Sequence, residues 1–270
     1  MKTRAITGFF FIVVLVGAVL LGPYVFVPFF ALIGLLSVRE FYGLVKSSTT
    51  MPLGLAGLLA SSMFIGLFGL YFLNIIPLVG TLIALIGFIN IFISALFRKT
   101  LNPIQDISYT LMGILYPAVP FTFFIALGFL EGGFNGYIPL GFLILLWTND
   151  TGAYLSGRSF GRRKLFERIS PNKTWEGFFG GVLLAVLVAL NLAQYFAALT
   201  RIEWVVVAVI IGVFGTLGDL VESMLKRSLG VKDSGSILPG HGGFLDRFDG
   251  LLVAAPLVYL FLMVYKYGIN

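Results

Sequence analysis

ITGFFFIVVLVGAVLLGPYVFVPFFALIGLLSV, residues 6–38, runs for 33 positions without a charged side chain. A helix needs about 20 residues to cross a hydrocarbon core about 30 Å thick. The run is therefore too long for one ordinary span. Gly22-Pro23-Tyr24 and Pro28 interrupt it. Glycine and proline punctuate helices, so two short helices, 6–21 and 24–38, are expected. Lys2 and Arg4 give the chain a basic start like that of a secretory signal. The apolar stretch continues past Gly22 without a small-residue cleavage site, so a retained helix is expected.

The rest of the chain has the same character. Of its 270 residues, 59% are hydrophobic and 11% charged, and the mean hydropathy is +1.01. A water-soluble domain cannot hide that much apolar surface. Seven more apolar stretches follow, at 53–73, 76–97, 107–129, 137–156, 177–198, 204–223 and 250–267. The reading is an all-α integral membrane protein of about nine transmembrane helices, forming a single polytopic domain. Residues 1–136 are expected to be mainly membrane scaffold and residues 137–270 to carry the functional site.

Sidedness follows from the basic residues. With the N-terminus cytoplasmic, Lys2, Arg4, Arg39, Lys46, Arg98 and Lys99 fall on the cytoplasmic side. So do Arg158, Arg162, Arg163, Lys164, Arg168, Lys173, Lys226, Arg227, Lys232 and Arg247, making sixteen of the eighteen Lys and Arg. Only Arg201 and Lys266 fall outside, with the C-terminus. Such a split is the positive-inside pattern. The net charge of +6 therefore reads as membrane orientation rather than nucleic-acid binding. The chain has no cysteine, which excludes disulfides, thiolate metal sites and a Cys nucleophile.

On this topology the acids gather at one depth. Asp150 lies near the cytoplasmic end of the sixth span, and Asp219 and Glu222 near that of the eighth. Asp246 and Asp249 precede the ninth span on the same side. Carboxylates at hydrocarbon depth are costly and rarely face lipid. Asp219, Glu222, Ser223 and Lys226 stand at i, i+3, i+4 and i+7, which is one face of a helix. Paired carboxylates suit a hard cation such as Mg²⁺. The plainer alternative is that Asp219, Glu222 and Asp246 pair with Lys226, Arg227 and Arg247 only to satisfy charge.

Cations lie beside the acids. SFGRRKLFERISPNKTWEGFFGG carries Arg162, Arg163, Lys164, Arg168 and Lys173, and MLKRSLGVKDSG carries Lys226, Arg227 and Lys232. Orientation and anionic lipid account for GRRK. In SPNKTWEGF, Lys173 and Thr174 offer donors beside the helix start at Glu176-Gly177, an arrangement like a phosphate cradle. KDSGSILPGHGGFLDRFDG, residues 232–250, holds three carboxylates, five glycines and the chain's one histidine. Gly240, Gly242 and Gly243 around His241 would permit positive φ and close approach to a ligand, or form a plain tight turn. His241 itself fits a general base, a phosphate donor or a turn residue. Together these residues are equipment for metal-assisted phosphoryl or nucleotidyl transfer at the cytoplasmic membrane surface. A single histidine and the lack of GxSxG leave no nucleophilic triad.

SMLKRSLGVKDSGSILPGHGGFLDRFD, residues 223–249, resembles the signature of phosphatidate cytidylyltransferases, the CDP-diacylglycerol synthases. TNDTGAYLSGRSFGRRK and SPNKTWEG resemble further family segments. The resemblance implies transfer of CMP from CTP to phosphatidic acid, giving CDP-diacylglycerol and pyrophosphate with Mg²⁺ required. It implies catalytic roles for Asp219, Lys226, His241, Asp246 and Asp249. Asp219, Asp246 and Asp249 would bind metal, with Glu222 and Asp150 as further candidates. Lys173, Thr174, Ser223, Arg227, Lys232, Gly242, Gly243 and Arg247 would contact substrate. The expected partners are CTP, phosphatidic acid and membrane lipid, with no nucleic acid; a homodimer and a second cation are compatible with this reading. The expected location is the inner, cytoplasmic membrane, with the site facing the cytoplasm. Two other classes are weighed against it. A CTP-dependent lipid kinase would release CDP, and a transporter would spread its polar residues across the bilayer.

Overall fold

The structure is a computed structural model that describes residues 2–47, 49–235 and 242–268, with side chains from residue 8 onward. Those residues are mostly helical, with one two-stranded hairpin among them. Helices satisfy every backbone polar group internally, which a lipid environment demands. Among the described residues seven helical stretches are long and apolar enough to cross a membrane: Pro23–Val45, Gly54–Phe72, Leu78–Leu96, Pro103–Leu127, Trp175–Tyr195, Arg201–Ser228 and Leu245–Tyr267. The apolar stretch Gly8–Leu20 is shorter. Tyr137–Phe160 has 24 residues but carries Asn149, Asp150, Thr151, Ser156 and Arg158. The chain is thus a multi-pass, all-helical membrane protein. It divides into two compact units, Met1–Ile125 with Asp233–Arg247, and Ala126–Lys232 with Phe248–Asn270.

The first unit begins with α1 (Lys2–Leu20) and α2 (Pro23–Val45). The break between them falls at Gly22, which has φ +99°, with Pro23 opening α2. Pro28 was expected to help break the run, yet α2 passes through it. As the sixth residue of the helix it has no N–H to give the Tyr24 carbonyl one turn back, a loss that membrane helices absorb by local adjustment and neighbouring groups. Helix α2 also runs seven residues past the expected end at 38, which brings Arg39, Glu40 and Tyr42 into it. Phe26, Phe30 and Phe124 are buried against one another with tilted rings, the centroids 5.0 Å apart for Phe26–Phe30 and 4.8 Å for Phe30–Phe124. A short 3₁₀ turn leads into α4 (Ala84–Leu96), which packs on α3 (Gly54–Phe72). They approach closely at Gly87, where an added Cβ would sit 2.8 Å from the Ala60 Cα, the small-residue contact of membrane helices. Helix α5 (Pro103–Gly113) enters α6 (Val119–Leu127) through a π turn that contains Pro117. That proline supplies the cause of the irregularity.

The second unit is built on α7 (Tyr137–Phe160) and α8 (Trp175–Tyr195), joined by antiparallel strands β1 (Lys164–Phe166) and β2 (Ser170–Thr174). The two helices meet over glycine. An added Cβ at Gly177 would lie 2.8 Å from the Ala153 carbonyl oxygen. Helix α9 (Arg201–Ile210) opens with a Thr200/Glu203 capping box and passes through a π turn, Ile211–Gly215, into α10 (Thr216–Ser228). Helix α11 (Leu245–Tyr267) completes the chain. It presses on α10 where a Cβ at Gly218 would be 2.5 Å from the Asp249 carbonyl oxygen. One end of this unit gathers Tyr137 against Phe196 and Phe196 against Trp204. The same unit pairs Lys266 with Glu131 at 2.6 Å.

Candidate functional site

The glycine contact between α10 and α11 explains why acids meet in the second unit. It sets Asp249 beside the turn of α10 that carries Asp219, and Asp249 is within electrostatic reach of Asp219, Glu222 and Asp150. Asp150, on α7, is within reach of Asp219 and Lys173. The regular helix of α10 brings Ser223 Oγ to 3.3 Å from Asp219 Oδ1, a long contact in which the hydroxyl donates. Lys226 Nζ lies 2.5 Å from Glu222 Oε2 one turn away, and both are buried. From β2, Lys173 Nζ reaches 2.5 Å from Asp219 Oδ2 across a half-exposed contact. The cluster therefore holds the carboxylates Asp150, Asp219, Glu222 and Asp249 against the ammonium groups of Lys173 and Lys226. Four negative charges against two positive leave a formal excess of two negatives. Hard oxygen donors with net negative charge suit a divalent cation of the magnesium kind. Among the described residues, no three Asp, Glu, His or Cys side chains are grouped so as to hold one ion.

Other expected site residues in this unit have structural tasks. Thr174 is buried, and its side-chain oxygen accepts from the Gly177 N–H at 3.1 Å, which makes it the N-cap of α8. Glu176 accepts from the backbone N–H groups of Arg162 and Arg163, closing the strand hairpin on the helix. Arg227 Nη1 donates to the Val231 carbonyl at 3.1 Å beyond the end of α10. Lys232 is exposed.

In the first unit, the residues around the start of α11 fold about two carboxylates. Asp246 Oδ2 accepts from the Ser234 N–H at 3.0 Å and the Gly243 N–H at 2.9 Å. Gly242, at φ +77°, stands where a Cβ would run into that carboxylate. Gly243 stands where a Cβ would run into the carboxylate of Glu40. Glu40, on α2, accepts from Phe244 N–H at 2.8 Å, Leu245 N–H at 3.2 Å and the Ser234 hydroxyl. Arg247 is exposed. His241 and Gly240 lie outside the described residues.

Two polar residues of interest were passed over in the sequence. Glu40 follows Arg39, just past the expected helix end at residue 38. An acid within a helix long enough to span was the available signal. Asn149, fully buried beneath α8, adjoins Gly181 and Gly212. Its signal was its place beside Asp150 within an apolar run.

The chain is similar along nearly its whole length to known proteins. A model described as the cytidylyltransferase family matches residues 2–265. A phosphatidate cytidylyltransferase of Staphylococcus epidermidis is 37% identical over 271 residues, covering 97% of this chain and 99% of that protein. One from Bacillus subtilis is 35% identical over 268 residues, covering 98% of this chain and 99% of that protein. One from Staphylococcus aureus is 36% identical over 274 residues, covering 97% of this chain and 99% of that protein.

Proposed function

Because the chain belongs to the cytidylyltransferase family, we propose that it transfers CMP from CTP to phosphatidate at the cytoplasmic membrane surface, with Mg²⁺. The observation that carries this reading is the cluster of Asp150, Asp219, Glu222 and Asp249 with Lys173 and Lys226. It supplies paired anion and cation contacts where a membrane lipid and a soluble nucleotide could both arrive.

The chemistry asks little proton transfer of the protein. A phosphate monoester is already anionic near neutral pH, so no strong base is needed. Its oxygen forms a bond to the α-phosphorus of CTP. The bond from that phosphorus to the bridging oxygen of the β-phosphate breaks, and pyrophosphate leaves with the electron pair. The protein must align the two phosphates and neutralise their charge. Lys173 and Lys226, with Arg227 and Lys232, are assigned to the phosphates. Mg²⁺ is commonly held by one or two carboxylates together with substrate phosphates, so a pair drawn from Asp219, Asp249, Glu222 and Asp150 would hold the cation beside CTP, and Asp246 joins the candidates through its place in the signature. When bound, Mg²⁺ neutralises charge that develops toward the leaving pyrophosphate. Ser223 is assigned to orienting Asp219.

The proposed topology has nine spans, with the N-terminus inside. The Lys266–Glu131 pair at 2.6 Å supports it, since both residues then lie on the outer side. The test is purified protein with phosphatidate, Mg²⁺ and CTP labelled in the cytidine. Label should enter the lipid fraction. No incorporation with any divalent cation overturns the reading, and release of CDP without lipid label would favour a lipid kinase.

A further inference from the structure

Glu40 is a carboxylate only 7% exposed, within a helix long and apolar enough to span a membrane. Burying such a group is costly unless donors replace the water it loses. Here the donors come from residues about 200 positions away. The backbone N–H groups of Phe244 and Leu245 sit at the very start of α11, where helix amides are unpaired and favour an anion. The Ser234 hydroxyl adds a third donor. The backbone closes directly over the acid. A Cβ at Gly243 would overlap the carboxylate, and one at Gly235 would lie 3.0 Å from its Cδ. Glu40 thus grips the chain both before and after residues 236–241.

The same segment also folds on Asp246, whose Oδ2 takes the N–H groups of Ser234 and Gly243. Ser234 gives its hydroxyl to Glu40 and its amide to Asp246. Asp246 is therefore held by a backbone that Glu40 holds in turn. We propose that Glu40 is a positioning residue: it fixes the first turn of α11 and the orientation of Asp246, and so sets the rate of cytidylyl transfer without touching substrate. The kinetic part rests on the function proposed above; the clamp itself does not.

The test uses the full-length protein, with hydrogen exchange of residues 234–247 read beside kcat and KM. Glu40→Ala should speed exchange at Phe244 and Leu245 about tenfold or more. It should lower kcat about 10²-fold, with KM for CTP changed less than about threefold, since a misplaced group costs rate more than binding. Glu40→Gln keeps an acceptor oxygen and should retain more protection and more activity than Glu40→Ala. Ser234→Ala removes one bond and should slow the enzyme only severalfold, which guards against a fold-wide collapse in the first variant. Unchanged exchange in Glu40→Ala, or wild-type kcat, overturns the proposal. Equal damage in the Gln and Ala variants, with both melting early, overturns it in favour of a general role in folding. Wild-type protein that puts no cytidine into lipid overturns the reaction, while faster exchange in Glu40→Ala still upholds the clamp.

Discussion

Lys173 and Asp219 are the clearest case of a contact whose value lies in chemistry rather than stability. The pair is half-exposed at 2.5 Å, and such pairs contribute about 1 kcal/mol or less. Lys173→Met should therefore leave the melting temperature nearly unchanged and reduce lipid-bound cytidine about 10²-fold, as removal of one charge-stabilising donor does. Asp246→Asn makes the complementary test. The amide keeps an acceptor oxygen for Ser234 and Gly243 but loses the charge. The variant should purify normally and incorporate no label; full activity would remove Asp246 from the reaction. At this scale the sequence was readable where spacing along one helix sufficed. Asp219, Glu222, Ser223 and Lys226 were grouped by helical period, and their contacts on α10 follow it. Thr174 was read as a substrate donor, although a Thr just before a helix start is also the pattern of an N-cap. Glu40 was missed because its partners are set by tertiary folding, which no local period records.

Among the elements, the close seam between α10 and α11 is the most vulnerable. At Gly218 an added Cβ would stand 2.5 Å from the Asp249 carbonyl oxygen, and backbone cannot yield as a side-chain tip does. Gly218→Ala should destabilise the protein by about 1–3 kcal/mol and lower activity by parting Asp249 from α10. Thermal melting beside the label assay reads both. Thr174→Ala should behave differently. It loses the cap of α8 at a cost of about 1 kcal/mol, with KM for CTP unchanged. A large rise in that KM would make Thr174 a substrate contact as well as a cap. Hydropathy located the helices well, because lipid enforces them. It said nothing of the π turns at Ile114–Ala118 and Ile211–Gly215 or of the three- and five-residue strands of the hairpin. Those features depend on single prolines, glycines and short pairings that an average over a span conceals.

For the molecule as a whole, the distribution of charge makes a prediction about sides. The chain has no cysteine, so single-cysteine variants report cleanly. Lys99→Cys and Arg168→Cys should react with impermeant reagents only from the cytoplasmic face, and Arg201→Cys only from the outer face. Reaction of all three from one side would refute the nine-span topology. The contact between Glu40 and Phe244 also has a bearing on biosynthesis. The two are 204 residues apart in the chain. At about 5–20 residues per second of translation, the first-made membrane helices wait on the order of 10–40 seconds for the amides that satisfy this acid. A nascent or truncated chain that ends before Phe244 keeps an uncompensated carboxylate on α2. Such a product carries its own mark of incompleteness, exposed to the proteases and chaperones that remove unfinished proteins.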